Sequence, residues 1–288
     1  MSKLIFGCGY LGQRVAKRWL ETGEQVFAVT RSRERGQKLA QAGLTPIVAD
    51  VTVPESLCQL PPADTVLYAV GYDRTSKVPM RQVYVEGLRS ALAALPSRDA
   101  KLIYISSTGV YGQFHGQWVD EQSPCEPERE QGRLCLEAER LLKSHAFGSR
   151  AIILRLAGVY GPGRIPNAQR IRDHEPIAVA DEGWLNLVHV DDATSVVLAV
   201  AERATPPEMY LVSDGQPVER REYYSELARL LHAPPPRFAP PDADVPSAQR
   251  AASSKRVSNA RLQAELAVPF RYPSYREGLA AIVAEESS

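Results

Sequence analysis

Short apolar runs alternate with helical patterns through the first two thirds of the chain. The runs Lys3–Phe6, Gln25–Val29, Pro46–Ala49, Thr65–Val70, Lys101–Ile105 and Ala151–Leu156 have the length and composition of strands. Several are nearly continuous in apolar residues, as expected of strands covered on both faces. Between them, Leu11, Val15, Trp19 and Leu20 fall on one helical face, Val83, Leu88, Leu92 and Leu95 on a second, and Leu134, Ala138, Leu141 and Leu142 on a third. Strand then helix, repeated, predicts an α/β fold built on a doubly wound parallel sheet with right-handed crossovers.

After about residue 160 the rhythm changes. Pro162, Gly163, Pro166 and Pro176 interrupt it. A helix fits Asp191–Glu202, a strand Met209–Val212 and a helix Glu219–Leu231. A proline-rich loop follows, with Pro234, Pro235, Pro236, Pro240, Pro241 and Pro246, and short helices near Asn259–Glu265 and Tyr275–Glu285 end the chain. The pattern predicts a sheet domain over 1–161, with 188–204 returning to it, and a smaller, irregular C-terminal substrate domain made of 162–187 and 205–288.

Composition narrows the function classes. Lys plus Arg balance Asp plus Glu at 34 each, so nothing in the charge points to nucleic acid. No apolar run approaches a membrane span, and Leu4–Phe6 is too short for the core of a signal peptide. Cys8, Cys58, Cys125 and Cys135 show no CxxC spacing and no nearby histidine pair. They are expected to be reduced thiols of a cytoplasmic protein, with no metal site.

Gly7-Cys8-Gly9-Tyr10-Leu11-Gly12 is a G-x-G-x-x-G that follows a strand and opens a helix. That context makes it a dinucleotide-binding fingerprint of the Rossmann type. Gly7 permits the tight turn, Gly9 lets the backbone approach a pyrophosphate, and Gly12 lets helix and strand pack closely. Tyr10 and Leu11 begin the helix, whose N-terminus attracts anions. The second strand runs into Val29-Thr30-Arg31-Ser32-Arg33, with no acid until Glu34. An acidic residue there would bind a ribose 2′-hydroxyl; Arg31 and Ser32 instead suit a 2′-phosphate. This predicts NADP, with NAD the alternative if Arg31 is only a solvated charge.

The fingerprint, together with Ser106-Ser107-Thr108-Gly109-Val110-Tyr111-Gly112, Tyr160-Gly161-Pro162-Gly163 and His189-Val190-Asp191-Asp192-Ala193, resembles the extended short-chain dehydrogenase/reductase superfamily, whose members include NAD(P)-dependent epimerases and dehydratases acting on nucleotide sugars. The resemblance covers nearly the whole chain. It implies that Asp50 and Val51 neighbour adenine, that Ala69, Val70 and Gly71 pass along the cofactor's ribose and phosphates, that Leu156 lies by the nicotinamide, and that Ser107 holds the catalytic Ser/Thr position. It also implies a homodimer formed through two helices of the sheet domain.

The resemblance breaks at the next element. The family's Tyr-x-x-x-Lys pair falls at Gln131 and Cys135, counted back from Leu136-Glu137-Ala138-Glu139-Arg140-Leu141-Leu142. An amide does not titrate and a thiol carries no positive charge. Tyr84 stands where the family usually has an Asn that supports the lysine. The usual pair is therefore absent, as in atypical members of the superfamily. Tyr72, Tyr111, Tyr160, His115, Asp120 and Glu121 could also line a crevice beyond the strands' carboxyl ends, although each also fits an ordinary structural or surface role. Cys135 reads as a buried, inert thiol. Gly183-Trp184-Leu185-Asn186 and Ser253-Ser254-Lys255-Arg256 could meet a phosphorylated or nucleotide-linked small-molecule substrate, or be plain loops. Three functions follow: an NADP-preferring, epimerase/dehydratase-like oxidoreductase, a non-catalytic NADP(H)-binding sensor or scaffold, or hydrolase or lyase chemistry in the same crevice without hydride transfer, for which the sequence singles out no nucleophile.

Overall fold

The structure is a computed structural model, and it describes residues 1–239 and 254–286. Pro240, Pro241, Pro246 and Ser253, singled out above, lie outside the described residues. The chain divides into two compact units: residues 1–110, 130–155 and 194–210, and residues 111–129, 156–193 and 211–288.

The first unit is built on a seven-stranded parallel sheet. Its strands are β1 (Ser2–Phe6), β2 (Gln25–Thr30), β3 (Thr45–Val48), β4 (Thr65–Tyr68), β5 (Lys101–Ser107), β7 (Ala151–Leu156) and β11 (Glu208–Val212), in the order β11-β7-β5-β4-β1-β2-β3. Chain order reverses between β1 and β4, which pair in register from Lys3 with Thr65 to Phe6 with Tyr68. That reversal is the switch point where open α/β sheets take ligands. Helices α1 (Gly12–Glu21), α2 (Arg33–Gln41), α3 (Gly87–Ala94), α4 (Glu130–Ser144) and α6 (Val190–Arg203) belong wholly or largely to this unit.

The core explains the apolar runs. Phe6, Val66, Tyr68, Leu88, Leu102, Tyr104, Leu134, Ala138 and Ile153 share one buried cluster. The Phe6, Tyr68 and Tyr104 rings form a row across neighbouring strands, with centroids 5.6 and 5.9 Å apart. Helix α2 carries little periodicity, because only Gly36 and Leu39 are buried. It is fixed at its start by Ser32, whose hydroxyl accepts from the Arg35 backbone N–H at 3.2 Å.

Among the described residues the second unit contains three two-stranded sheets. Strand β10 (Leu187–His189) pairs in parallel with β8 (Gly158–Tyr160), β12 (Val218–Glu219) antiparallel with β9 (Trp184–Leu185), and β13 (Lys255–Val257) in parallel with β6 (Gln117–Val119). Helices α5 (Ala168–Arg172), α7 (Arg220–Leu230), α8 (Ala260–Leu266) and α9 (Tyr275–Glu286) surround them. Its core gathers Tyr160, Ile177, Leu187, Val218, Tyr223, Leu227 and Leu279. The alternation of strands and helices puts residues 111–129 with the sheet, but they cluster with the second unit. The reason is local pairing: β6 joins β13, and Lys255 Nζ donates to the Tyr111 carbonyl at 2.9 Å.

Candidate functional site

The glycine turn lies at the switch point of the first unit. Gly7 has φ +82°, and a Cβ there would lie 2.4 Å from the Ala69 carbonyl oxygen. The turn therefore rests directly on the segment that follows β4. A Cβ at Gly12 would lie 2.6 Å from the Gly7 carbonyl oxygen, which explains the third glycine. Gly9 differs, since a Cβ there would meet nothing nearer than 4.0 Å. The space above its backbone is open.

Helix α1 begins at Gly12, two residues beyond the expected Tyr10, with Leu11 as the residue before it. Its first turn has no side-chain cap and no acidic residue. The Gln13 N–H donates to the Gly9 carbonyl at 2.9 Å, and the positive end of the helix dipole faces the turn. Tyr10 is covered by the Arg14 guanidinium, 4.4 Å from its ring centre, and Leu11 is buried. An open backbone above Gly9 beside an uncapped helix start fits a pyrophosphate.

Basic groups flank this turn. Arg31 follows β2 and is exposed, with Nη2 3.3 Å from Asp73 Oδ2. Exposed pairs of this kind contribute about 0–1 kcal/mol, so Arg31 can exchange this partner for a more highly charged anion. The Asp73 carboxyl is held below its usual range first by the Thr75 hydroxyl and N–H, and less by Arg31. Arg35, unmarked by the sequence motifs, donates from Nη2 to the Cys8 carbonyl at 2.8 Å, tying α2 to the glycine turn. Arg35 lies in the first turn of α2, and nothing in its sequence context marked its contact with Cys8, 27 residues away.

The other candidates for cofactor contact divide into held and open positions. Asp50 Oδ1 accepts from the Thr52 N–H at 2.9 Å and hydroxyl at 2.8 Å, closing the turn after β3. Val51 is buried and packs at Gly87, where a Cβ would lie 2.8 Å from its Cγ2. Ala69 and Val70 are half-buried, and Gly71 is exposed. In the second unit, Leu156 is buried.

Ser107 ends β5, and its Oγ accepts from the Gly109 N–H at 3.0 Å. Gln131 and Cys135 stand one turn apart on α4, the first exposed and the second buried. Gln131 Nε2 donates to the Tyr84 hydroxyl at 3.1 Å. Tyr84 belongs to a π-helical turn, Gln82–Glu86, ahead of α3. The two departures from the family pattern thus touch each other. Burial and the nearby Cys135 push the Tyr84 phenol up, while its hydrogen bonds from Tyr72 N–H and Gln131 pull it down.

A buried ion pair fixes α4 against the sheet. Arg155 on β7 grips Glu139 on α4 through Nε at 2.9 Å and Nη2 at 2.6 Å, and Ser106 on β5 donates to Glu139 Oε1 at 2.6 Å. The two charged side chains are 3% and 1% exposed. The geometry is bidentate, the arrangement in which a buried pair offsets its desolvation. It sets the height of Gln131 and Cys135 on α4, and none of its three members was legible as a group in the sequence.

Within the second unit, several residues flagged by chemistry are engaged in holding loops. The Tyr111 hydroxyl donates to the Asp120 carbonyl at 2.7 Å, and Asp120 Oδ1 accepts from Ser123 and the Gln122 N–H. Glu121 Oε1 accepts from the Leu211 N–H at 2.8 Å. The Tyr160 hydroxyl donates to Ser274 O at 3.4 Å, and its ring meets His189 edge-on. His115 sits in an exposed loop. In the first unit, Tyr72 donates to Val78 O at 3.1 Å.

The two candidate substrate stretches meet in the second unit. Asn186 clamps β13, donating to Lys255 O at 2.8 Å and accepting from Val257 N–H at 2.6 Å. The Arg256 guanidinium lies between Trp118 and Trp184, 5.3 and 5.0 Å from their ring centres. Lys255 is buried, and desolvation followed by Arg129 pulls its ammonium down to about 8. Among the described residues no helix is long and apolar enough to cross a membrane, and no group of His, Cys, Asp and Glu could hold a metal.

A sequence profile of the NAD dependent epimerase/dehydratase family matches residues 4–213. Protein YeeZ of Escherichia coli K12 is 27% identical over 276 residues, covering 93% of this chain and 95% of its own. A Methylobacillus flagellatus structure, provisionally assigned as an NAD-dependent epimerase/dehydratase, is 32% identical and superposes with a TM-score of 0.79 over 100% of this chain and 99% of its own. The UDP-glucose 4-epimerase of Thermus thermophilus, solved in complex with NAD, has the same fold at 20% identity, with a TM-score of 0.81 over 100% and 99% of the two chains. With its fingerprint, its strand order and this match over most of its length, the chain belongs to the NAD dependent epimerase/dehydratase family.

Proposed function

We propose that the chain binds NADP(H) at the glycine turn and carries out carbonyl oxidoreduction on a small-molecule substrate, nucleotide-linked or phosphorylated. The observation that carries this reading is the open backbone over Gly9, beside an uncapped helix start and the Arg31, Ser32 and Arg35 cluster. When bound, the dinucleotide supplies the hydride donor or acceptor. Tyr10, Leu11 and Gly12 hold its pyrophosphate through backbone N–H groups, while Gly7 and Gly9 shape the turn, the Gly9 N–H donating to the Gly7 carbonyl at 2.7 Å. Arg31 and Ser32 take the 2′-phosphate, Arg31 by a charge-assisted pair and Ser32 through its hydroxyl proton. Arg35 keeps the turn in place through Cys8. Asp50, Val51, Ala69, Val70 and Gly71 line the adenosine side, and Leu156 the nicotinamide side. Ser107 donates a hydrogen bond to the substrate oxygen.

The substrate class rests on the second unit's exposed Trp118 and its stacked Arg256, which suit a base or a phosphate. A second reading, a sensor that binds NADP(H) without turnover, is favoured by Gln131 and Cys135, neither of which can act as the usual acid or its charged partner. One screen separates the two. NADPH oxidation is followed against aldehydes, ketones and nucleotide sugars, with Ser107→Ala as the control. Turnover that this substitution abolishes supports the enzyme; tight NADPH binding with no turnover across the panel supports the sensor.

A further inference from the structure

We propose that Tyr84 presents its phenolic proton to the substrate oxygen, so that the acid of this site comes from the π-helical turn before α3 and not from α4. The inference rests on the NADP(H) reading above.

Three observations within the first unit carry it. The first is the hydrogen-bond arrangement around the phenol. Its oxygen accepts a hydrogen bond from Gln131 Nε2 at 3.1 Å, and the Tyr72 backbone N–H is near enough to pull the phenol down. Among the described residues no acceptor takes its proton. A hydroxyl oxygen that accepts from a donor keeps its O–H as polar capacity, and that O–H points away from the donor. The second is placement. Tyr72 lies in the segment leaving the carboxyl end of β4, next to the switch point, and its ring centre is 6.4 Å from that of Tyr84. Ligands of open α/β sheets gather at that edge. The third is the local backbone. Tyr84 occupies the middle of a five-residue π turn, Gln82–Glu86, in a helix that is otherwise regular. Such turns are rare and concentrate at functional sites, because they re-aim one side chain.

The surroundings define the direction of proton transfer. The groups facing the phenol are Cys135 and Gln131 on α4, and Tyr72 and Arg74 in the loop after β4. Tyr84 is half-buried, and burial followed by the neighbouring Cys135 pushes its phenol up. The phenol is therefore protonated at neutral pH and acts as an acid in the reducing direction. In that step the substrate carbonyl carbon gains a hydride from a reduced nicotinamide. The carbonyl π pair moves to oxygen, and this oxygen takes the proton as the Tyr84 O–H bond breaks. The substrate becomes an alcohol and the nicotinamide is oxidised. The phenolate left behind keeps the Gln131 donor until water returns the proton. Gln131 is thereby a positioning residue, supplying that donor from the place where the family carries its own tyrosine.

The test uses the charge of the nicotinamide ring as the probe. Protein labelled with 13Cζ-tyrosine is titrated from pH 6 to 11 with saturating NADP+ or NADPH, the Tyr84 resonance being identified by its loss in Tyr84→Phe. Dissociation constants are measured on both proteins. The cationic ring of NADP+ lowers the Tyr84 pKa by about one unit or more relative to the NADPH complex, as a positive charge within a few ångströms does. Tyr84→Phe binds NADPH within about twofold of the parent, since a phenol aimed at substrate adds little to cofactor affinity. Gln131→Met, which keeps the ring and removes one donor, raises the Tyr84 pKa in the NADP+ complex. Identical titrations with NADP+ and NADPH overturn the assignment of Tyr84 and leave the cofactor reading standing. Failure of either dinucleotide to bind overturns both.

Discussion

Single residues show how much of the site is fixed by shape and how much by charge. Gly7 is a case of shape. Its φ is +82°, and the Ala69 carbonyl oxygen would lie 2.4 Å from a Cβ, which leaves no room for a side chain. Gly7→Ala is expected to cost about 1–3 kcal/mol from the left-handed backbone alone and to weaken dinucleotide binding at least about tenfold. Thermal melting and calorimetric titration check the two effects. Asp214 is a case of charge. It is 8% exposed, its Oδ1 accepts from the Gln216 N–H at 2.9 Å, and its Oδ2 has no partner. Desolvation, then the Asp192 and Glu277 carboxylates, push it up to about 7.

The sign of the resulting pH dependence follows from linkage. Below pH ~4 both folded and unfolded forms are protonated, and the residue costs nothing. Between the unfolded value near 4 and the folded value of about 7 the folded form alone keeps its proton, so stability falls as pH rises through this window. Above that window a constant penalty remains, at most about 4 kcal/mol. Asp214→Asn is therefore expected to raise the melting temperature at pH 8 and to leave it nearly unchanged at pH 4. A larger gain at pH 4 contradicts this linkage. The glycine pattern was legible because its requirement is written in consecutive residues. Asp214 was not, because its burial comes from the fold and the carboxylates that act on it, Asp192 and Glu277, are distant in sequence.

At the scale of elements, α4 is placed by chemistry, while its apolar face supplies the packing. Leu134, Ala138 and Leu142 join the core, but the Arg155–Glu139–Ser106 group fixes the helix against β5 and β7. Removing one member leaves a buried charge uncompensated. Glu139→Ala is expected to destabilise by about 3–5 kcal/mol in urea denaturation, and Glu139→Gln, which keeps part of the hydrogen bonding, by less. The apolar patterning made α1 and α4 legible, together with all seven strands of the large sheet. It could not show α2, whose exposed face is nearly all polar, nor the strands of two and three residues in the second unit, which are too short to show a period of two. The contact between Gln131 and Tyr84 joins residues 47 apart, so spacing along the chain gave no hint of it. Only the two departures from the family pattern, noticed separately, marked those positions.

At the scale of the whole molecule, the strand order β11-β7-β5-β4-β1-β2-β3 explains why the readable motifs belong together. The glycine turn, the Arg31 segment and the Ala69–Gly71 segment leave β1, β2 and β4, three neighbouring strands, at their carboxyl ends. A parallel sheet delivers all of those ends to one edge, so a cofactor site is an outcome of topology as well as of motif. The division of the chain was only partly visible. Residues 111–129 leave the first unit in the middle of its sequence through a three-residue strand, and their partner strand is more than a hundred residues away.

In the proposed function the glycine turn holds NADP(H) and Arg31 chooses the phosphorylated form. Isothermal titration of NADPH and NADH against the parent protein and Arg31→Ala tests it most directly. NADPH is expected to bind at least about tenfold tighter than NADH in the parent, as one charge-assisted pair supplies. In Arg31→Ala most of that difference disappears, with NADH affinity within about twofold of the parent value. NADH binding as tightly as NADPH in the parent, or an unchanged ratio in Arg31→Ala, contradicts it.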